Sequence, residues 1–305
     1  MVAESILGWI RRARLLPLLG LVMVTILVAG CGANAAEDPL LAAKVNGQGI
    51  TLSQYQQMLA LYRATNARNN FFTDWRSTSQ RGDLASTQQQ VLDILINIQL
   101  LRDQLRQQHI TVTPKAIQTA RDTLNKQIAA DRKQLEQNPD PVLQSLLDAA
   151  TPDVINLLAE QEAMQAAIQE KGKIPSVHLR GIEAKDMQAA HDLQQKAESG
   201  TDFAKLAREN SLAKTSGAQG GELGTYFIGQ VTPQFDKQVF APGAHPGKYL
   251  ILQLQNTFWL LELTNLGPRT ISTLSDTQAQ SNAVSAWLEE VVRPAASIEE
   301  YVTVG

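Results

Sequence analysis

The chain has 305 residues, with 27 Lys and Arg against 30 Asp and Glu and 44% hydrophobic residues, enough apolar material for about two domain cores. Basic and acidic residues are interleaved without a basic stripe, which argues against a nucleic-acid partner. Cys31 stands alone and the four histidines are scattered, which excludes a disulfide framework and leaves no metal site or cofactor to expect.

Arg11, Arg12 and Arg14 precede an apolar run, Leu15 to Val28, interrupted by Pro17, Gly20 and Thr25. A basic start followed by a short apolar stretch reads as a secretion signal over residues 1–30, removed before folding. The run is shorter than the ~20 residues that cross a bilayer core, although an uncleaved single-span anchor remains the alternative. Val28-Ala29-Gly30-Cys31 resembles the lipobox of bacterial lipoproteins. That resemblance implies lipidation at Cys31, a tether over residues 31–40, and an extracytoplasmic protein anchored by lipid to the bacterial cell membrane.

The Leu41 to Val45 stretch predicts a strand, Asn46-Gly47 a tight turn, and Thr51 the cap of a helix from Leu52 to about Ala64, with Tyr55, Leu59 and Tyr62 on one face. Residues 66–84 are polar with Phe71, Phe72 and Trp75 embedded, and read as a long loop or short helix. The three aromatics suit either a client-binding patch or a cluster pinning the loop to the body. Val91, Ile94, Leu95, Ile98, Leu101 and Leu105 recur at helical spacing within Thr87 to Gln108. Thr113-Pro114 and Thr151-Pro152 each start a further helix, one to about Gln137 and one to about Gly172. Val45-Asn46-Gly47 before Ile50-Thr51 and a helix, and Thr111-Val112-Thr113 before Ile117, resemble the N-terminal chaperone domain of SurA-like and PrsA-like foldases.

Gly172 to Pro175 reads as a domain boundary. Beyond it a strand is expected from Val177 to Ala184, a helix from Met187 to Ser199, and a second helix opening at Thr201-Asp202-Phe203. Gly220-Gly221-Glu222-Leu223-Gly224-Thr225-Tyr226-Phe227-Ile228-Gly229-Gln230-Val231-Thr232-Pro233-Gln234-Phe235 closely resembles the signature of parvulin-type (PpiC) peptidyl-prolyl isomerases. Gly200-Thr201-Asp202-Phe203-Ala204 with Leu206-Ala207 extends the likeness, which covers residues 176–266. The resemblance implies an α+β domain: a four-stranded sheet with flanking helices.

Parvulins are expected to twist an X-Pro amide in an apolar groove lined by two histidines and a Cys or Asp. Laid on this sequence, those polar positions fall on Gly181, Trp259 and Ala213. His178 is three residues from Gly181, so strand alternation sends it to the other face. Val231, Phe235 and Phe240 match the family's proline pocket, and Trp259 adds a possible aromatic wall. The same residue types would equally fill a closed core.

A last helix is expected from about Leu274 to Val292, and Ser297 to Val302 alternates like an edge strand. Ala286-Trp287-Leu288-Glu289-Glu290 resembles the segment with which SurA-like proteins complete their N-terminal domain, so residues 270–305 are expected to return to a chaperone domain begun at 41–172. The reading that results is multidomain: an α-helical SurA-like chaperone domain plus a parvulin domain, binding unfolded or proline-containing polypeptides with isomerase activity weak or lost. An active isomerase and a docking scaffold are the alternatives.

Overall fold

A computed structural model describes residues 40–68, 78–254 and 257–302, which fall into two compact units. The first runs to Ala166 and resumes at Val292, while the second is continuous from Ala167 to Val291. The signal, Cys31, and Phe71, Phe72 and Trp75 lie outside the described residues.

The first unit opens with antiparallel strands β1 (Leu41–Val45) and β2 (Gln48–Thr51). Their two-residue turn holds Asn46 at φ 49° and Gly47 at φ 81°, the left-handed backbone that such turns require and that Asn and Gly supply cheaply. Thr51 Oγ1 accepts from the Gln54 amide at 3.1 Å while Gln54 Oε1 accepts from the Thr51 amide at 3.0 Å. This reciprocal cap starts α1 (Leu52–Arg68). Helix α2 (Thr78–Gln107) begins earlier than its apolar period, because the polar stretch before Val91 contains no proline to stop a helix. From Leu95 to Leu101 it is buried on every side, Asn97 and Gln99 included.

Three helices then start on proline in the first turn: α3 (Pro114–Gln137), α4 (Pro141–Ala149) and α5 (Pro152–Lys171). The missing proline N–H would have had no helical partner there, and the preceding residue caps each start. Thr113 accepts from Ala116, Asp140 from Val142 and Leu143, and Thr151 from Val154. Arg102 on α2 grips Glu160 on α5 through two bonds of 2.7 Å. A half-exposed ion pair adds about 1 kcal/mol at most, less than one fully buried leucine at about 1.5–3 kcal/mol. The pair therefore fixes helix register more than it holds the unit together.

The chain end closes this unit. Strand β7 (Ile298–Glu300) pairs antiparallel with β1, in register Val45↔Ile298 to Ala43↔Glu300. Asn46 is the latch: its amide donates to Ser297 O at 2.8 Å, its Oδ1 accepts from Ser297 N at 3.0 Å, and its Nδ2 donates to Asp103 on α2 at 2.8 Å.

In the second unit, β3 (Lys173–Ala184), β4 (Glu222–Phe227), β5 (Tyr249–Leu254) and β6 (Thr257–Thr270) form an antiparallel sheet in the order β4-β3-β6-β5. One face packs on α6 (Met187–Glu198) and α7 (Phe203–Asn210). The other packs on α9 (Pro233–Val239), which follows the short α8 (Lys214–Ala218) and β4.

The expected return segment is divided. Helix α10 (Thr277–Trp287) belongs to the second unit, and only residues from Val292 onward join the first. Gly229 explains the division, because a Cβ on it would come within 2.6 Å of Ala286 Cβ and 2.9 Å of Asn282 O. A bond of 3.0 Å from Gln169 Nε2 to Ser281 Oγ holds the same helix. Deleting residues 297–305 should accelerate amide exchange in β1 and β2 by at least ~10-fold while leaving β3 and β6 protected, measured by hydrogen–deuterium exchange. Unchanged exchange in β1 would show that the terminal strand does not close the unit.

Candidate functional site

Alternation along β3 sends His178, Arg180, Ile182 and Ala184 to the helix-covered face and Leu179, Gly181 and Glu183 to the face shared with α9. On β6 opposite, Gly181 pairs with Leu261 and Glu183 with Trp259. Gly181 is buried, and a Cβ built on it would lie 2.5 Å from Leu223 Cδ1, 3.0 Å from Leu261 Cδ2 and 3.1 Å from Trp259 Cε3. The space a side chain would need at position 181 is filled by these three apolar neighbours. The indole N–H of Trp259 donates to Thr257 Oγ1 at 3.0 Å, so the one polar atom of that ring is satisfied within its own strand.

Ala213 sits on a loop pinned beside the same strand: Leu212 N donates to Glu183 O at 2.9 Å, and Ser211 Oγ accepts from Glu183 N at 3.2 Å. The tight approach continues at Gly221 (φ 85°), whose added Cβ would meet Gly181 O at 2.9 Å.

Of the expected groove residues, Phe235 is buried and Phe240 and Trp259 half-buried in one apolar cluster with Leu252, Leu261 and Leu263. Tyr226 tilts against Phe235 with ring centroids 6.1 Å apart. Val231 lies apart from this cluster on the exposed turn before α9, 38% accessible. Glu183, paired with Trp259, also lies on this face, two residues along the strand from Gly181, so alternation places it there although the family signature has no polar role at that position. His178 is on the opposite face, its Nδ1 3.0 Å from Thr225 Oγ1 and its Nε2 2.8 Å from Glu222.

Two family models match the chain: a SurA-like N-terminal domain over residues 6–124 and a PPIC-type PPIase domain over residues 158–265. The chain joins a SurA-like domain to a parvulin domain. It is homologous to foldase protein PrsA of Caldanaerobacter subterraneus subsp. tengcongensis, 27% identical over 236 residues that cover 75% of this chain and 76% of the relative. A parvulin-like PPIase of Rickettsia bellii is 31% identical over 157 residues, so the chain spans about half of that relative, 50% of its length. Among solved structures, PrsA from Bacillus subtilis is 18% identical with 82% of this chain and 92% of that chain covered, at a TM-score of 0.28.

Within the parvulin domain Asp236 is 2% exposed, and nothing in the signature marks it as buried. Its Oδ2 accepts from Gly229 N at 2.8 Å, whereas Oδ1 has no hydrogen-bond partner among the described residues. Burial pushes the carboxyl up to about 6; the Gly229 N–H works against the rise and the Glu290 charge adds to it. Glu290, in the π-helical turn Leu288–Val292, is raised by its own burial, with Lys237 opposing.

The first unit holds a concavity of about 420 Å3 between α3 and α5. Ala116, Ala120, Ala163 and Ala166 contribute to its lining, with Thr119 and Thr123. Small side chains let the two helices leave a trough there, with Lys115 and Glu162 also in its lining.

Asp236 sets a pH dependence. Its folded-state affinity for a proton exceeds the unfolded one, so its favourable contribution is complete below the ordinary carboxylate range and is lost as pH rises through about 6. Asp236→Asn, which cannot ionise, should gain in urea midpoint relative to the wild type as pH is raised from about 4 to about 7. Parallel profiles for the two proteins would show that Asp236 titrates normally.

Proposed function

We propose that this protein is an extracytoplasmic foldase, anchored by lipid at Cys31, that binds unfolded or proline-containing segments of exported polypeptides and catalyses prolyl isomerisation weakly. One observation supports the weak isomerase: Leu223, Leu261 and Trp259 close around Gly181 at 2.5–3.1 Å from where its Cβ would be, in the place the parvulin resemblance assigns to a histidine. Rotation about an X-Pro bond is accelerated by donors and acceptors preorganised around the twisted amide. Gly181, Ala213 and Trp259 bring no side-chain atom to that task, the Trp259 N–H being held by Thr257. Binding needs only apolar surface, and Phe240, Trp259 and Leu223, each half-buried around the Phe235 cluster, offer it. The homology to PrsA foldase supports the client class.

The loss of a single such donor typically slows catalysis by ~10²–10³, so proline-limited refolding of a test substrate should be accelerated far less than by a histidine-bearing parvulin. Suppression of aggregation, assayed on the same preparation, should persist. Isomerisation at ordinary parvulin rates would overturn the weak-isomerase reading, and inactivity in both assays would favour a docking scaffold.

Anchoring is tested separately. Cys31→Ser should move the protein from the membrane fraction to the soluble fraction, and mass spectrometry of the wild type should find an acylated N-terminal cysteine. Stable anchoring needs more than one acyl chain, so a singly acylated or unmodified Cys31 would contradict it.

A further inference from the structure

The two sheets have four edge strands, and three of them are guarded. β2 has four residues with Gly49 among them, and β7 has three, two of them Glu299 and Glu300. β4 carries a register shift opposite Leu179 and Arg180, a left-handed Gly224 at φ 89°, and Glu222, whose carboxylate accepts from Gly224 N at 2.9 Å. Shortness, bulges and charge are the devices by which proteins keep foreign strands off an exposed edge.

β5 has none of them. Its sequence, Tyr249-Leu250-Ile251-Leu252-Gln253-Leu254, contains no charge, no proline and no glycine, and it pairs with β6 in unbroken register along its whole length. In an antiparallel ladder every second residue turns its N–H and C=O away from its partner. Apart from β6, no main-chain group bonds to β5 among the described residues. The strand thus offers an alternating row of donors and acceptors, flanked by Leu250, Leu252 and Leu254 on the Trp259 face and by Tyr249 and Ile251 on the other.

We propose that β5 is a strand-addition site for an extended, uncharged segment of a client polypeptide. Only an extended main chain satisfies an alternating row of this kind, and recognition through main-chain atoms tolerates many sequences. Continuity decides for a client over a second copy of this chain. Leu252 pairs with Trp259, so side chains of an added strand extend, through Leu250 and Leu254, the apolar face of Phe240 and Trp259 assigned above to polypeptide binding. This inference rests on the polypeptide-binding reading above and adds to it the open edge of the same sheet face.

The test uses the full chain with reduced, carboxymethylated lactalbumin, a permanently unfolded polypeptide, as probe. Hydrogen–deuterium exchange across residues 249–254 should slow when the probe binds, with no slowing in β4. Gln253, exposed on β5, is the position to block. Gln253→Lys and Gln253→Pro should each weaken probe binding by about tenfold or more with circular dichroism unchanged, the lysine variant standing if the proline variant fails to fold. Probe binding without slowing at β5 overturns the strand-addition site and leaves the foldase reading intact. Slowing that grows with protein concentration in the absence of probe assigns the edge to self-association and overturns the client proposal. A probe that does not bind overturns both readings.

Discussion

The pairing of β3 with β6 is the constraint on which the second unit depends. It runs from Lys173↔Thr270 to Ala184↔Phe258, so the first residue of the first strand lies beside the last residue of the last. The ends of a long intervening segment are thereby brought to one spot, and the rest of the sheet is added on either side, β4 beside β3 and β5 beside β6. Alternation along these two strands then creates two different chemistries on opposite faces. The even-numbered positions of β3 from Arg180 onward face α6 and α7, where Arg180 is bound to Glu262 and lies 5.3 Å over the Phe203 ring. Odd positions build the apolar face on which the candidate groove stands.

On that face, volume is exchanged between facing strands. A glycine on β3 makes room for a tryptophan on β6, and close packing means that neither can be altered alone without a void or a clash. Polar groups are displaced from the middle of the face to its margin, where Glu183 and the Ser211 hydroxyl remain, the latter already accepting from the Glu183 amide. The buried Asp236 carboxylate is tolerated for a local reason: it holds the Gly229 amide, and Gly229 is the point at which α10 approaches the turn.

The sequence showed much of this plainly where a residue type has one mechanical use. Asn46-Gly47 demanded a tight turn, and Thr113-Pro114 and Thr151-Pro152 demanded helix starts, as found. Less was legible where context decides. The first turns of α2 have no apolar period to announce them. The division of the C-terminal segment depends on Gly229 meeting Ala286, a contact between residues far apart in sequence. Asp236 looks like any helix-surface acid until α9 is placed against the sheet, and β5 becomes an edge only once the strand order is known. Whether Phe235 and its neighbours form a wall or a core was likewise undecided by residue type. The chain buries Phe235, leaves Phe240 and Trp259 half-covered, and exposes Val231.

The Asn46 latch and the β1–β7 pairing also dictate an order of events. Residues 298–300 are synthesised or translocated after the whole of the second unit, and until they emerge β1 lacks one partner and Asn46 has no Ser297 to hold. The second unit, continuous from Ala167 to Val291, has all its residues before that moment. A chain delivered from its N-terminus therefore completes its parvulin fold first and its helical unit last. In the interval the helical unit is itself an incompletely folded polypeptide with an unpaired strand, the same kind of object that a foldase receives from others.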